Sequence, residues 1–97
     1  MNIKTVHDFI QALRAGKYAW PGCYPTFFIT SDCAALSYDT ARRNVGLIAR
    51  AIRDDDRGGW KIVGHDVNWE DPELYCDHSG KRIESAYAEP ETIEVQP

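Results

Sequence analysis

The chain has 97 residues, of which 43% are hydrophobic and 11% aromatic, enough for one modest core and too few for two domains. Its net charge of −4, with a pI near 5.2, argues against sequence-independent binding to nucleic acid, which requires a basic surface. We expect one globular domain over residues 1–89 and a flexible acidic tail over residues 90–97, because AEPETIEVQP has little to bury.

The first predicted element is a helix that Thr5 caps and that ends at about Ala15, before the natural stop Gly16. Its helical spacing comes from Val6, Phe9, Ile10 and Leu13. This region contains no apolar run of signal-peptide or membrane-spanning length, so we expect a cytoplasmic protein. The three cysteines are an odd number, which favours reduced thiols over a disulfide framework.

The remaining elements predict an α+β fold in which two helices pack on a small antiparallel sheet. After a turn-rich connector, TFFIT predicts a strand over residues 26–30, and SDCA returns the chain into a short strand at 35–36. A second helix should begin at Ser37 and run to the DDD segment, with an apolar stripe along one face. WKIVGHDVNW predicts a strand with a bulge at Gly64, and a last strand is expected over 82–87.

The segment LYCDHSGKRI, residues 74–83, has the spacing of a zinc knuckle, except that Ser79 stands where the second cysteine would be. Ser37 and Thr40 form a second pair with the same spacing at the start of the second helix. In zinc ribbons and treble clefs, two such pairs place four thiolates around one metal ion. Of these four positions, cysteine occupies Cys76 alone.

The run from YPTFFITSDCAALS through GWKIVGHDVNWEDPELYCDHSGKRIESAYAE resembles small proteins of phages and other bacterial mobile elements. The likeness covers about residues 17–89. It implies Cys-x-x-Cys pairs in the relatives at the positions of Ser37, Thr40, Cys76 and Ser79. The fold it implies is a degenerate zinc ribbon or treble clef, and because serine and threonine are poor zinc ligands, we expect neither metal nor cofactor.

A rebuilt metal site and an enzyme active site are the alternatives to this interpretation. A rebuilt metal site would use Cys76 and His78, joined by His65 or Cys33. An enzyme would draw on Cys33, His65, Asp66 or His7, but these candidates carry no local catalytic signature, and the chain has no phosphate loop or nucleophile elbow. We therefore expect no catalytic activity, and we expect His65 to be a packed histidine on an apolar strand face.

Two acidic clusters predict a protein-binding surface. Asp54, Asp55 and Asp56 follow the second helix, where the negative end of the helix dipole disfavours carboxylates. In WEDPELY, carboxylates alternate with aromatic side chains, as they do in protein interfaces. This second cluster consists of Trp69, Glu70, Asp71, Glu73 and Tyr75. For both clusters, a solvated loop is the alternative.

Together these features predict a small acidic phage-type protein that binds and inhibits a host protein with a basic surface, without contacting nucleic acid or membrane. As its most concrete form, the resemblance implies an anti-CRISPR protein that inhibits a CRISPR effector complex. The alternative is a zinc-stabilised binding module.

Overall fold

The computed structural model describes residues 2–19, 24–71 and 73–86 and shows the predicted α+β class. Its elements, in chain order, are α1 (Val6–Ala15), β1 (Tyr18–Ala19), β2 (Tyr24–Thr30), β3 (Ala35–Ser37), α2 (Tyr38–Arg43), α3 (Val45–Arg53) and β4 (Ile62–Val67). Among the described residues, no helix combines the length and apolar character needed to cross a membrane. The predicted tail over 90–97 lies outside the described residues.

The antiparallel sheet is built around β2. This strand pairs with β4 along one edge and with β3 and β1 in succession along the other. Its fully buried Phe28 meets Phe9 of α1 edge-on, with ring centroids 5.6 Å apart, and stacks on Tyr38 of α2 at 6.4 Å. The face of the sheet that carries Phe28 is therefore covered by helices.

The predicted bulge near Gly64 is confirmed. Ile29 lies opposite Gly64 and Thr30 opposite Ile62, so Val63 is an extra residue on β4. The Val63 carbonyl accepts the Ile3 amide at 3.0 Å. Because the bulge changes the phase of the strand, Ile62 is fully buried even though it is out of step with the apolar residues after it.

The predicted start of the first helix is also confirmed. The Thr5 hydroxyl accepts the Asp8 amide at 3.1 Å, and the Asp8 carboxylate accepts the Thr5 amide at 3.2 Å, which together form a capping box. At the other end, Gly16 has a φ of 95°. A side chain is strained at this angle, so the glycine suits the position.

The predicted second helix is in fact two helices, α2 and α3. Asn44 separates them with φ −122° and ψ 33°, outside the helical region. Its side-chain Nδ2 donates to the Thr40 carbonyl at 2.8 Å, the kind of local bond by which asparagine competes with a helical backbone. The apolar stripe still reaches the core, because Ile48 and Ile52 of α3 are both buried.

The predicted last strand is wrong for the residues of 82–87 that the structure describes. Arg82 forms an isolated bridge with Tyr75, which closes the hairpin over 74–83. The chain then leaves the hairpin, and the Ala86 amide donates to the Asn68 carbonyl at 2.8 Å. Conversely, the predicted connector contains β1, which sequence reasoning missed.

The core lies between the helices and the sheet and reaches into the hairpin. Its buried members are Ile3, Phe9, Ala12, Phe28, Leu36, Tyr38, Ala41, Ile48, Ile52, Ile62, Cys76 and Ile83.

Candidate functional site

The four positions of the predicted knuckle pairs converge on the sulfur of Cys76. The backbone amides of Ser37 and Ser79 donate to Sγ at 3.4 and 3.5 Å, and Thr40 Oγ1 lies 3.5 Å from the same atom. The Ser37 hydroxyl, which caps α2, lies 3.0 Å from Thr40 Oγ1. The pairing of the two segments inferred from their spacing is therefore present in the fold.

The surroundings of Cys76 change its acidity. Burial raises the pKa of the thiol. The hydrogen bonds with Ser79, Thr40 and Ser37 lower the pKa by more than burial raises it, so the pKa falls from 9.0 to about 6. The donors around the sulfur therefore favour the thiolate form. With 1% of the residue exposed, however, the sulfur is closed off from bulk solvent.

The hairpin that delivers Cys76 is held by its own turn. The Gly80 amide donates to the Cys76 carbonyl at 2.9 Å, and Gly80 has a φ of 75°, where glycine is favoured. The Ser79 hydroxyl accepts the Lys81 amide at 3.2 Å. Ser79 and Gly80 therefore satisfy turn geometry.

The rebuilt metal site is not formed. Among the described residues, no group of three or more histidine, cysteine, aspartate or glutamate side chains is placed to hold a metal ion. The other candidate ligands have different neighbours. The ring of His65 stacks on Phe28 with centroids 4.7 Å apart, and the ring of His78 lies 4.9 Å from that of Trp60. Cys33 is exposed in the turn after β2. His65 is the packed histidine that the sequence predicts, and burial lowers its pKa.

The acidic cluster after α3 is partly engaged in the fold. The Asp55 carboxylate pairs with Lys61 and lies 3.8 Å from Arg57 Nε, and the hydrogen bond from Lys61 lowers its pKa. Asp54 lies 3.8 Å from Arg53 Nε. Asp55 is therefore engaged by cations of its own chain, although the pair is exposed and exposed ion pairs contribute little to stability.

The second acidic cluster is organised by Asn68, a buried residue that sequence reasoning missed. Its Nδ2 lies within donating distance of the carbonyl oxygens of Asp71 (3.0 Å), Glu84 (3.1 Å) and Ile83 (3.3 Å). Its Oδ1 accepts the Asp71 amide at 3.1 Å. One side chain thus fixes both the loop after β4 and the segment that follows the hairpin.

Two aromatic side chains protrude beside this anchor. Trp69 is 45% exposed and Tyr75 is 53% exposed, and the Trp69 ring lies 4.6 Å from that of Tyr24. Glu70, Asp71 and Glu73 are exposed between them, although Asp71 also accepts the Glu73 amide at 2.9 Å. The described residues of WEDPELY therefore expose aromatic and acidic side chains on one short stretch of the chain, in which Asn68 holds Asp71.

The two acidic clusters lie on either side of β4 in the chain. The Asp54–Asp56 cluster precedes this six-residue strand, which spans roughly 20 Å, and the Trp69 cluster follows it.

Comparisons of the chain with protein-family models, with curated proteins and with solved structures give no match.

Proposed function

We propose that the protein acts by binding another protein through residues 69–75, which we call the Trp69 loop. One observation carries the proposal: Trp69 and Tyr75 are each about half exposed, Trp69 beside the buried Asn68 that holds Asp71, and Tyr75 on the hairpin that its bridge with Arg82 closes. Large aromatic side chains are the usual anchors of protein interfaces. A loop that is already ordered loses little conformational entropy when a partner binds.

The charge of the Trp69 loop favours a basic partner. Glu70, Asp71 and Glu73 are exposed, and WEDPELY contains no cationic residue. Carboxylates at such a surface attract lysine and arginine and repel acidic partners. Asp54 and Asp56 add to this contact only where a partner spans the length of β4.

The partner we propose is a host protein in the bacterial cytoplasm, whose basic surface the loop blocks. A CRISPR effector complex is the most concrete example, and it rests on the resemblance of the sequence. Such a complex holds phosphates with lysine and arginine side chains, to which carboxylates also bind. Inhibition would then be steric and electrostatic.

We further propose that the protein is not an enzyme. The thiol of Cys76, whose pKa is lowered to about 6, is 1% exposed and surrounded by Ser37, Thr40 and Ser79. A thiol nucleophile needs access to its substrate and a base within hydrogen-bond reach. The burial of Cys76 supports a structural role.

Affinity capture from a bacterial lysate tests the binding proposal. The tagged wild type should retain a basic protein that both Trp69→Ala and Tyr75→Ala fail to retain. Leu47→Ala is the matched control, because Leu47 is 49% exposed on α3, away from the loop. A prey protein that all three variants retain equally would contradict the assignment of the loop.

A further inference from the structure

A polar pocket lies beside the hairpin, in a part of the surface that the binding proposal does not use. Its volume is about 260 Å³, and its walls come from the start of β2, from α2 and from residues 79–84. The charged side chains that line it are Lys17, Asp39, Arg43, Lys81, Arg82 and Glu84. We call it the Arg43–Lys81 pocket.

The charge of this pocket is opposite to that of the protein. Four cations face two carboxylates, a formal charge of +2 in a chain whose net charge is −4. Clefts lined by one sign of charge concentrate the field and attract ligands of the other sign. The local excess of positive charge therefore points to an anionic ligand.

Both carboxylates of the pocket are already engaged. Asp39 pairs with Lys17 Nζ at 3.1 Å, and Glu84 accepts the hydroxyl of Tyr18 at 2.7 Å. Within the described part of the chain, Arg43 and Lys81 form no ion pair. Arg43 and Lys81 thus line one cavity without a carboxylate of the described residues in an ion pair with either of them.

We propose that the Arg43–Lys81 pocket binds a small phosphate-bearing ligand. The planar fork of an arginine matches two oxygens of a phosphate, and lysine adds a compact positive charge. The volume suits a phosphate with a small attached group, and the polar lining of serine and threonine suits a hydrophilic one. The sulfur of Cys76 does not line the pocket; it lies behind Ser37 and Ser79, whose backbone amides it accepts at 3.4 and 3.5 Å.

Titration with inorganic phosphate, followed by amide NMR shifts at constant ionic strength, tests the proposal on the full chain. Phosphate should shift amides in 37–43 and 79–84, and Arg43→Gln or Lys81→Gln should weaken binding by about tenfold, the value of one charge-assisted hydrogen bond. Arg53→Gln is the control, because Arg53 is exposed on α3 outside the pocket and should leave affinity within about twofold.

The remaining outcomes are also decisive. Shifts of equal size in the wild type and both pocket variants, or shifts scattered over the surface, would mean that phosphate binds without a site. Acetate that binds as tightly as phosphate would overturn the phosphate class in favour of a carboxylate. Arg43→Lys keeps the charge and removes the fork, so an affinity below that of the wild type, with Arg53→Gln unchanged, supports the pocket even if Arg43→Gln folds poorly.

Discussion

The Sγ atom of Cys76 accepts the backbone amide of Ser37 at 3.4 Å, although 39 positions separate the two residues in the chain. The Ser79 amide donates to the same sulfur at 3.5 Å. In a zinc site, four thiolates and a metal would connect two such segments. Here hydrogen bonds to one sulfur connect the start of α2 to the hairpin.

The ionisation of Cys76 should make the stability of the protein depend on pH. The pKa of the thiol is about 6 in the folded chain, below its ordinary value of 9.0, so the folded state releases the proton first as pH rises. The stabilisation is therefore complete above pH 9 and is lost as pH falls through 6. Between these limits the wild type should gain roughly 3 kcal/mol relative to Cys76→Ser, which does not titrate.

Urea unfolding at a series of pH values measures this gain. Cys33→Ser removes an exposed thiol and leaves Cys76 in place, so it should follow the wild-type curve. If the curves of the wild type and Cys76→Ser run parallel from pH 6 to pH 9, the buried sulfur is not a thiolate.

Combining Ser37→Cys, Thr40→Cys and Ser79→Cys with the native Cys76 should create a zinc site. Four sulfurs at about 2.3 Å from a tetrahedral zinc ion lie roughly 3.8 Å from one another. The present side-chain atoms are already at comparable distances, since Thr40 Oγ1 lies 3.0 Å from Ser37 Oγ and 3.5 Å from Cys76 Sγ. Stoichiometric zinc and a higher melting temperature with zinc are the expected results.

The control for this design is the same triple variant carrying Cys76→Ser as well, which keeps the new thiols and removes the fourth ligand. It should bind zinc far more weakly. Equal zinc stabilisation of the two forms would show that the four positions do not act as one site.

Asn68→Asp should destabilise the protein by about 3 kcal/mol or more. The substitution keeps the shape of the side chain but replaces a buried donor with a carboxylate that faces three carbonyl oxygens. Asn44→Asp is the matched control, because Asn44 is half-buried and donates to a single carbonyl, and its cost should be about 1 kcal/mol. Thermal melts of both variants give the comparison, and equal losses would refute the role of Asn68 as an anchor.

The convergence at Cys76 could be predicted because Ser37 and Thr40, and likewise Cys76 and Ser79, are spaced as the two ligand pairs of a zinc ribbon, and such pairs meet at one point. The bulge at Gly64 could be predicted for a similar reason, since the phase of the apolar residues changes there. The break at Asn44 was missed because the apolar stripe continues across it, from Ala41 of α2 to Ile52 of α3. Periodicity reports which face is buried, and it does not report whether the backbone is interrupted.

The sequence could not predict the burial of Asn68 or the existence of the Arg43–Lys81 pocket, for a different reason. The residues next to Asn68 in the chain do not show that it is buried, because two of its three acceptors belong to the distant segment 83–84. The cations of the pocket are likewise distant in the chain, and an acidic composition gives no sign of them. Both features exist only after the hairpin has folded against α2 and the sheet.

Salt should separate the charged and apolar parts of partner binding. Glu70→Gln with Glu73→Gln should weaken binding at low ionic strength and have little effect at high salt, where exposed charges are screened. The loss caused by Trp69→Ala should persist at high salt, because an aromatic anchor contributes through desolvated area. Affinities of both forms at two salt concentrations measure this difference. If the Trp69→Ala defect also disappears at high salt, the tryptophan is not an anchor.

Hydrogen–deuterium exchange of the wild-type protein, alone and with the captured partner, tests the central claim most directly. The account predicts that the partner slows exchange of the backbone amides over 68–75, around the exposed Trp69 and Tyr75. Exchange at the Asp54–Asp56 segment, which precedes β4 in the chain, should change less. Protection confined to 54–59 or to the helices, with no change over 68–75, would contradict binding through the Trp69 loop.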